Sequence, residues 1–176
     1  MKLKMRRYLL HIKFLLLLSG IFIIQSCGTY SFSGASIPAE MKTTSVQFFE
    51  NNSALVVPYL SQQFTEALKD RIRNQSRLSI VRTDADANFE GRITDYTIRP
   101  VAIQGNDRAG LNRLTVTVSV KYTNNLNPEL NFEQSFQAFQ EFSLNQGPIQ
   151  TQEQKLLALI NRQLTEDIFN KAFANW

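Results

Sequence analysis

The sequence has very few of the residues that most metal sites and nucleophilic active sites need. Its 176 residues include one cysteine, Cys27, and one histidine, His11. A disulfide within a single chain is therefore impossible. The glycines at positions 105 and 110 are not followed by a Gly-Lys-Ser/Thr motif, which excludes a phosphate-binding loop there.

An excess of basic residues is also missing from most of the chain. The formal net charge is +4, but residues 1–26 contain five basic residues and no acidic one. The remainder has 14 basic and 15 acidic residues. Nucleic-acid binding would require a basic patch in the folded part, so the composition argues against nucleic acid as a partner.

The first 26 residues have the three parts of a secretory signal peptide. A basic stretch is followed by a mainly apolar run of 11 residues from Phe14 to Ile24, and then by polar residues up to Ser26. A membrane-spanning helix needs roughly 20 apolar residues, so this run is too short for one. We interpret residues 1–26 as a cleaved signal peptide, with an uncleaved membrane anchor as the alternative.

Cys27 lies directly after the predicted signal peptide. The sequence Ile24-Gln25-Ser26-Cys27 resembles a bacterial lipobox, which implies cleavage before Cys27 and acylation of the new N-terminus. The lipobox implies three acyl chains on this N-terminus. Two membrane-binding signals already give stable anchoring, so three acyl chains would anchor the protein permanently. The residue after the cysteine is Gly28, whereas an Asp at this position is the usual signal that retains a lipoprotein in the inner membrane. Residues 28–39 carry no charge. These features predict the periplasmic side of the outer membrane, unless Cys27 is incidental.

Once His11 is removed with the signal peptide, the mature chain has no histidine and only one cysteine with which to carry out catalysis. No His/Cys metal cluster and no Cys/His or Ser/His nucleophile can then form. The close carboxylate pairs are Asp84 with Asp86, and Glu166 with Asp167. The first pair falls in a predicted turn and the second on the polar side of a helix, which favours solvated charges. We therefore predict that the protein is not an enzyme and has no metal or cofactor.

Two helices are predicted in the mature chain. The first begins near Pro58, and the second runs from about Gln152 to Ala174 with Thr151 as its N-cap. Each has an apolar stripe at spacings of three and four residues. The first stripe is Leu60, Phe64, Ala67, Leu68 and Ile72, and the second is Leu156, Leu157, Ile160, Leu164, Ile168, Ala172 and Phe173.

The strands are predicted from alternating apolar residues. Thr43 to Phe49 and Leu78 to Arg82 are short candidates, and the alternation of the next strand shifts by one residue near Thr94 or Asp95, which indicates a bulge. The clearest strand has Leu114, Val116, Val118, Val120 and Tyr122 on one face. The inward row of the last strand is predicted to be Leu130, Phe132, Phe136, Ala138, Phe142 and Leu144.

This order of elements predicts an α+β fold with one mainly antiparallel sheet of about four strands and two helices packed on one face. We assign residues 27–42 to a lipidated tether and residues 43–176 to one domain. The uncovered face of the sheet would expose Thr115, Thr117, Ser119, Lys121, Thr123, Ser135, Gln137 and Phe139. Such a face fits either plain solvent exposure or contact with a polar, water-filled enclosure.

The arginines near the central strands suggest a second kind of contact. Guanidinium groups bind phosphate through paired hydrogen bonds, although ordinary surface arginines are the simpler interpretation. The arginines concerned are Arg92, Arg99, Arg108 and Arg113.

Several sequence segments resemble one family of lipoproteins. Residues 27–34 (CGTYSFSG), followed by Ile37-Pro38, resemble the start of mature LptE proteins, which act in lipopolysaccharide assembly. The segments FEGRITDY (89–96), NRLTVTV (112–118) and DIFNKAFANW (167–176) are similar to later parts of that family. The resemblance covers residues 27–176.

The resemblance implies a partner and a role. LptE proteins insert into the lumen of the β-barrel protein LptD in the outer membrane, assist its assembly and contact lipopolysaccharide. Because the lumen of a large barrel is polar, we expect Thr117, Lys121 and Gln137 to face the barrel. Arg92, Arg99 and Arg113 are our candidates for lipopolysaccharide phosphate contacts, chosen from guanidinium chemistry and not carried over from the family. A pilotin-like or secretion-complex lipoprotein and a free lipid carrier are the alternatives.

Overall fold

The computed structural model describes residues 37–101 and 111–174. Cys27, the predicted signal peptide, most of the predicted tether and Arg108 lie outside these residues. The elements, in chain order, are strands β1 (Thr43–Val46) and β2 (Glu50–Asn51), helix α1 (Leu60–Gln75), strands β3 (Ser79–Ile80), β4 (Ala87–Pro100), β5 (Leu111–Asn124) and β6 (Phe132–Ser143), and helix α2 (Ile149–Phe173).

All six strands belong to one mixed sheet. Its order is β3-β1-β4-β5-β6, and β2 pairs with β4 on the same side as β1. The long strands β4, β5 and β6 are antiparallel, whereas β1 pairs in parallel with both β3 and β4. The predicted sheet of about four mainly antiparallel strands was therefore wrong in strand number and partly wrong in direction. The parallel pairs arise because α1 is a crossover connection that returns the chain to the sheet in the same direction.

The face of the sheet that packs on the helices is the one that the alternation predicts. The register of β4 and β5 shifts between Ile93 and Asp95, which confirms the predicted bulge. The even-numbered residues of β5 from Leu114 to Tyr122 are buried, and their odd-numbered neighbours are half-buried or exposed. Apart from the half-buried Ala67, both helices pack their apolar stripes in the same core, which also includes Met41 and Phe49.

The ends of two predicted elements differ from expectation. Leu130 and Leu144 were assigned to the inward row of the last strand, but they are 37% and 52% exposed in short 3-10 turns at either end of β6. Helix α2 begins at Ile149 after Pro148, so Thr151 is not its N-cap. The Thr151 hydroxyl instead donates a hydrogen bond to the Pro148 carbonyl, at 2.8 Å. No helix in the described ranges is long and apolar enough to cross a membrane.

Asp86 fixes the start of β1 beside β4. One carboxylate oxygen accepts hydrogen bonds from the backbone N–H groups of Lys42 and Thr43, at 2.8 and 2.9 Å, and from the Thr43 hydroxyl at 2.9 Å. These bonds favour the charged form, with the Lys42 N–H contributing most, and they hold the pKa of Asp86 below its ordinary value. Asp86 therefore has a structural role.

Substituting Asp86 should make stability less sensitive to acid. A lowered pKa in the folded state means that the carboxylate stabilises the fold above its ordinary pKa of 3.8, and that this contribution is lost as the pH falls through the folded-state pKa. We expect Asp86→Asn to be less stable than the wild type at neutral pH, with the difference vanishing in acid. Denaturant unfolding, measured from neutral pH down to acid pH, tests this prediction. Asp84→Asn is the control and should be as stable as the wild type.

Candidate partner-binding face

The face of the sheet opposite the helices contains all three residues that were expected to face a barrel. Thr117 in β5 lies opposite Asp95 in β4 and Gln137 in β6. The Gln137 side-chain amide donates a hydrogen bond to the Thr117 hydroxyl at 3.3 Å. Lys121 lies on the same face of β5, where its ammonium is 3.5 Å from a carboxylate oxygen of Glu90. We call this surface the outer face.

The three candidate arginines also lie on the outer face, but they do not form one cluster. Arg99 and Arg113 are direct cross-strand neighbours near one end of the sheet. Arg92 lies opposite Ser119, on the other side of the bulge. The structure therefore brings two of the three together and separates the third.

Arg113 is held by two neighbours in β6. Its guanidinium donates to the Glu141 carboxylate at 2.6 Å and lies 4.1 Å from the centre of the Phe139 ring. A cation over an aromatic face is attracted by the ring's quadrupole. Phe139 is 48% exposed, as the alternation predicted, so this stacked pair is accessible from solvent.

A shallow, open hollow of about 540 Å³ lies beside this pair. The charges around it are mixed, because Arg99 and Arg113 are accompanied by Asp95 and by the Glu141 that binds Arg113. Alternation in the sequence places Thr115, Gln137 and Phe139 on this face but does not show that they share a hollow. The lining residues are Asp95, Thr97, Arg99, Pro100, Val101, Arg113, Thr115, Gln137 and Phe139.

Comparison with known protein families identifies the family of this chain. Residues 41–172 match the family LptE, described as lipopolysaccharide-assembly. The chain belongs to the LptE family. The match begins at the buried Met41 and ends within α2, so it includes every strand and nearly all of both helices.

Solved structures show the same fold at low sequence identity. The hypothetical protein CT253 from Chlamydia trachomatis is 10% identical, with a TM-score of 0.54 over 77% of this chain and 99% of that one. The uncharacterized lipoprotein B from Nitrosomonas europaea is 13% identical, with a TM-score of 0.50 over 73% of this chain and 80% of that one. No curated protein sequence matches this LptE-family chain.

The second carboxylate pair of this LptE-family protein, Glu166 with Asp167, has structural partners. Glu166 lies 3.5 Å from the Arg71 guanidinium, and Asp167 accepts a hydrogen bond from the Gln163 amide at 2.9 Å. The two groups therefore stabilise α2 and its contact with α1. Within residues 37–101 and 111–174, no group of three or more His, Cys, Asp or Glu side chains is placed to hold a metal.

A carboxylate network inside the domain was not predicted from the sequence. Glu153 in α2 accepts hydrogen bonds from the hydroxyls of Tyr59, just before α1, and Tyr96 in β4. Burial, and then the nearby carboxylate, raise the pKa of Tyr59 to about 12 and that of Tyr96 further. The network joins both helices to the sheet across 94 and 57 residues of sequence, separations that no local pattern reveals.

Proposed function

We propose that this protein is the lipoprotein component of the outer-membrane lipopolysaccharide translocon, anchored through Cys27 on the periplasmic side. It would plug the LptD barrel, assist its assembly and help to deliver lipopolysaccharide to the cell surface. The observation that carries the proposal is the family match over residues 41–172. The activity needs no cofactor and no catalytic residue.

The outer face supports the plugging role. Thr117, Lys121 and Gln137 share this face with serine, threonine and carboxylate side chains, while most apolar residues of the same strands, Phe139 excepted, are turned into the core. A polar surface of this kind can exchange hydrogen bonds with water for hydrogen bonds to the wall of a polar lumen at little cost in desolvation. Arg99 and Arg113 are the better candidates for lipopolysaccharide phosphates, because they are adjacent.

A charge added to the outer face should weaken recovery of the barrel without unfolding the lipoprotein. We choose Thr117→Lys because Asp95 lies directly opposite and accommodates a cation. Packed against a barrel wall, the long side chain would need space that the small threonine leaves to the wall, and its ammonium would lose hydration that Asp95 alone would not replace. We expect at least about a tenfold loss of LptD in affinity purification from detergent-solubilised outer membranes, which corresponds to about 1.4 kcal/mol.

The control adds the same charge elsewhere. Gln62 is an exposed residue of α1, on the side of the domain that the helices cover, so Gln62→Lys should recover LptD normally. Circular dichroism should show both variants folded. A folded Thr117→Lys protein that recovers normal amounts of barrel would remove this part of the outer face from the interface. Recovery of a secretion complex instead of LptD would favour the pilotin-like alternative.

Removing the proposed lipid site should release the protein from the membrane. Cys27→Ala leaves no thiol for acylation, so the mature domain would lose the acyl chains that hold it. We expect the variant to leave the outer-membrane fraction and to incorporate no labelled fatty acid, whereas Ser26→Ala should remain anchored. Acyl labelling that persists in Cys27→Ala would show that the anchor lies elsewhere.

A further inference from the structure

Strand β6 forms a long free edge of the sheet. It pairs with β5 over its whole length, and no other described strand pairs with it. Natural edge strands are usually protected by shortness, a bulge, a proline, a covering element or charged side chains, lysine above all. Strand β6 has 12 residues, an unbroken register with β5, and neither proline nor lysine. It is therefore an edge that is open to pairing with a further strand.

The register shows which backbone groups point away from β5. Leu111 in β5 accepts a hydrogen bond from the Val101 N–H at 2.9 Å, so the odd-numbered residues of β5 bond to β4. The backbone N–H and C=O groups of successive residues in a strand point to opposite neighbouring strands. The even-numbered residues of β5 therefore bond to their even-numbered partners in β6. The N–H and C=O groups of odd-numbered residues from Glu133 to Glu141 are consequently directed to the free edge.

We infer that this edge is extended by a strand from a partner protein, namely an extended polypeptide segment that carries lysine or arginine. The inference rests on the proposed function, because the segment would belong to the barrel protein that the domain plugs. Strand addition of this kind takes its affinity from backbone hydrogen bonds and its specificity from alternate side chains.

The charges of β6 indicate the chemistry of the added segment. The strand carries Glu133 and Glu141 on the outer face and no lysine or arginine. Glu141 is paired with Arg113, whereas Glu133 has no ion pair within the described residues, because its cross-strand neighbour Lys121 is directed to Glu90 instead. A cation on the added strand would complement Glu133 and favour the correct register.

The same charges disfavour a second copy of this chain that pairs about the middle of β6. Antiparallel pairing of two β6 strands about Gln137 would put Glu133 of each copy opposite Glu141 of the other. Like charges directly opposite one another destabilise a strand pair, and of the neighbouring cations in β5 only Arg113 forms an ion pair with a β6 carboxylate. A different polypeptide avoids this repulsion.

The position of Phe139 adds to the case for an added strand. This residue is on the outer face of the edge strand and is 48% exposed, beside the Arg113 guanidinium. A strand paired with β6 would bring a side chain alongside the free flank of the ring. That contact would remove apolar surface from water, which favours association.

Amide hydrogen exchange of the full lipoprotein, alone in detergent and in its purified complex with LptD, tests the inference. The amides of Ser135, Gln137 and Phe139 should exchange quickly in the lipoprotein alone and become at least about tenfold slower in the complex, as expected for newly bonded edge amides. The amides of Phe136 and Ala138 bond to β5 and should be protected in both states. A complex that forms while the odd-numbered amides still exchange quickly would overturn the inference and leave the proposed function intact.

A matched pair of variants tests the role of one edge N–H. Ser135→Pro removes a donor that faces the edge, where proline is tolerated, whereas Ser135→Ala removes the hydroxyl and keeps the N–H. We expect LptD recovery to fall about tenfold for the proline variant and to stay at the wild-type level for the alanine variant. Equal recovery by the two, or a complex containing only a second copy of this chain, would overturn the inference. Failure of the wild type to recover LptD would overturn the proposed function as well.

Discussion

Val118→Asp should unfold the domain. Val118 is fully buried in the middle of β5, between Ile93 in β4 and Phe136 in β6. An uncompensated charge in such a site costs about 3–5 kcal/mol, which approaches the total stability of many domains. We expect the purified variant to lose the cooperative denaturant transition of the wild type, as measured by circular dichroism.

The control for this prediction is one residue along the same strand. Thr117→Asp places the same charge on the outer face, where the side chain reaches solvent. Asp95 lies directly opposite, so the like charges should cost up to about 1 kcal/mol. The Thr117 variant should therefore remain folded, with a slightly earlier transition. Equal destabilisation by the two substitutions would contradict the assignment of Val118 to the buried face of β5 and of Thr117 to the outer face.

The faces of the long strands could be predicted from the sequence because each has one buried and one polar side. Five consecutive alternations in β5 leave only one way to turn the strand towards a core. The slip in β4 marks the bulge for the same reason, since an extra residue must move later side chains to the opposite parity. These patterns are local, and local patterns can be read from the chain.

The short strands could not be predicted in the same way. β2 and β3 have two residues each, too few to show an alternation. Their pairing is set by the crossover through α1 and by Asp86, which joins β1 to the start of β4 across 43 residues. The missed helix start has a different cause. The Gln152 amide donates to the carbonyls of Ser143 and Gly147, and these bonds order the turn that leads into the helix at Ile149.

The candidate site was also only partly accessible to sequence reasoning. Alternation places Thr117, Lys121 and Gln137 on one face, but the distances between arginines depend on the register. The bulge and the pairing of β4 with β5 put Arg99 beside Arg113 and leave Arg92 apart. The open edge of β6 is not visible in the sequence either, because the number of partners of a strand is a property of the whole sheet.

Gly91→Ala should be almost as damaging as a buried charge, because the backbone itself is in the way. Gly91 lies opposite Val120 in β5, on the face that meets the core. A Cβ atom built there would be 2.6 Å from Cε1 of the Phe49 ring and closer still to the Ser119 carbonyl oxygen. Neither neighbour can move easily. The Ser119 oxygen belongs to a central strand, and the fully buried Phe49 packs edge-on against Phe64, with ring centres 5.1 Å apart.

We expect Gly91→Ala to lower the free energy of unfolding by about 3 kcal/mol, the upper end of the usual cost of overpacking a core. Arg92→Ala introduces the same side chain at the next, exposed position and should change stability by less than about 0.5 kcal/mol. Adding Phe49→Leu to Gly91→Ala should restore little, since the nearest obstacle is a backbone oxygen. A Gly91→Ala protein that unfolds at the wild-type denaturant concentration would mean that β4, β5 and Phe49 do not approach one another so closely.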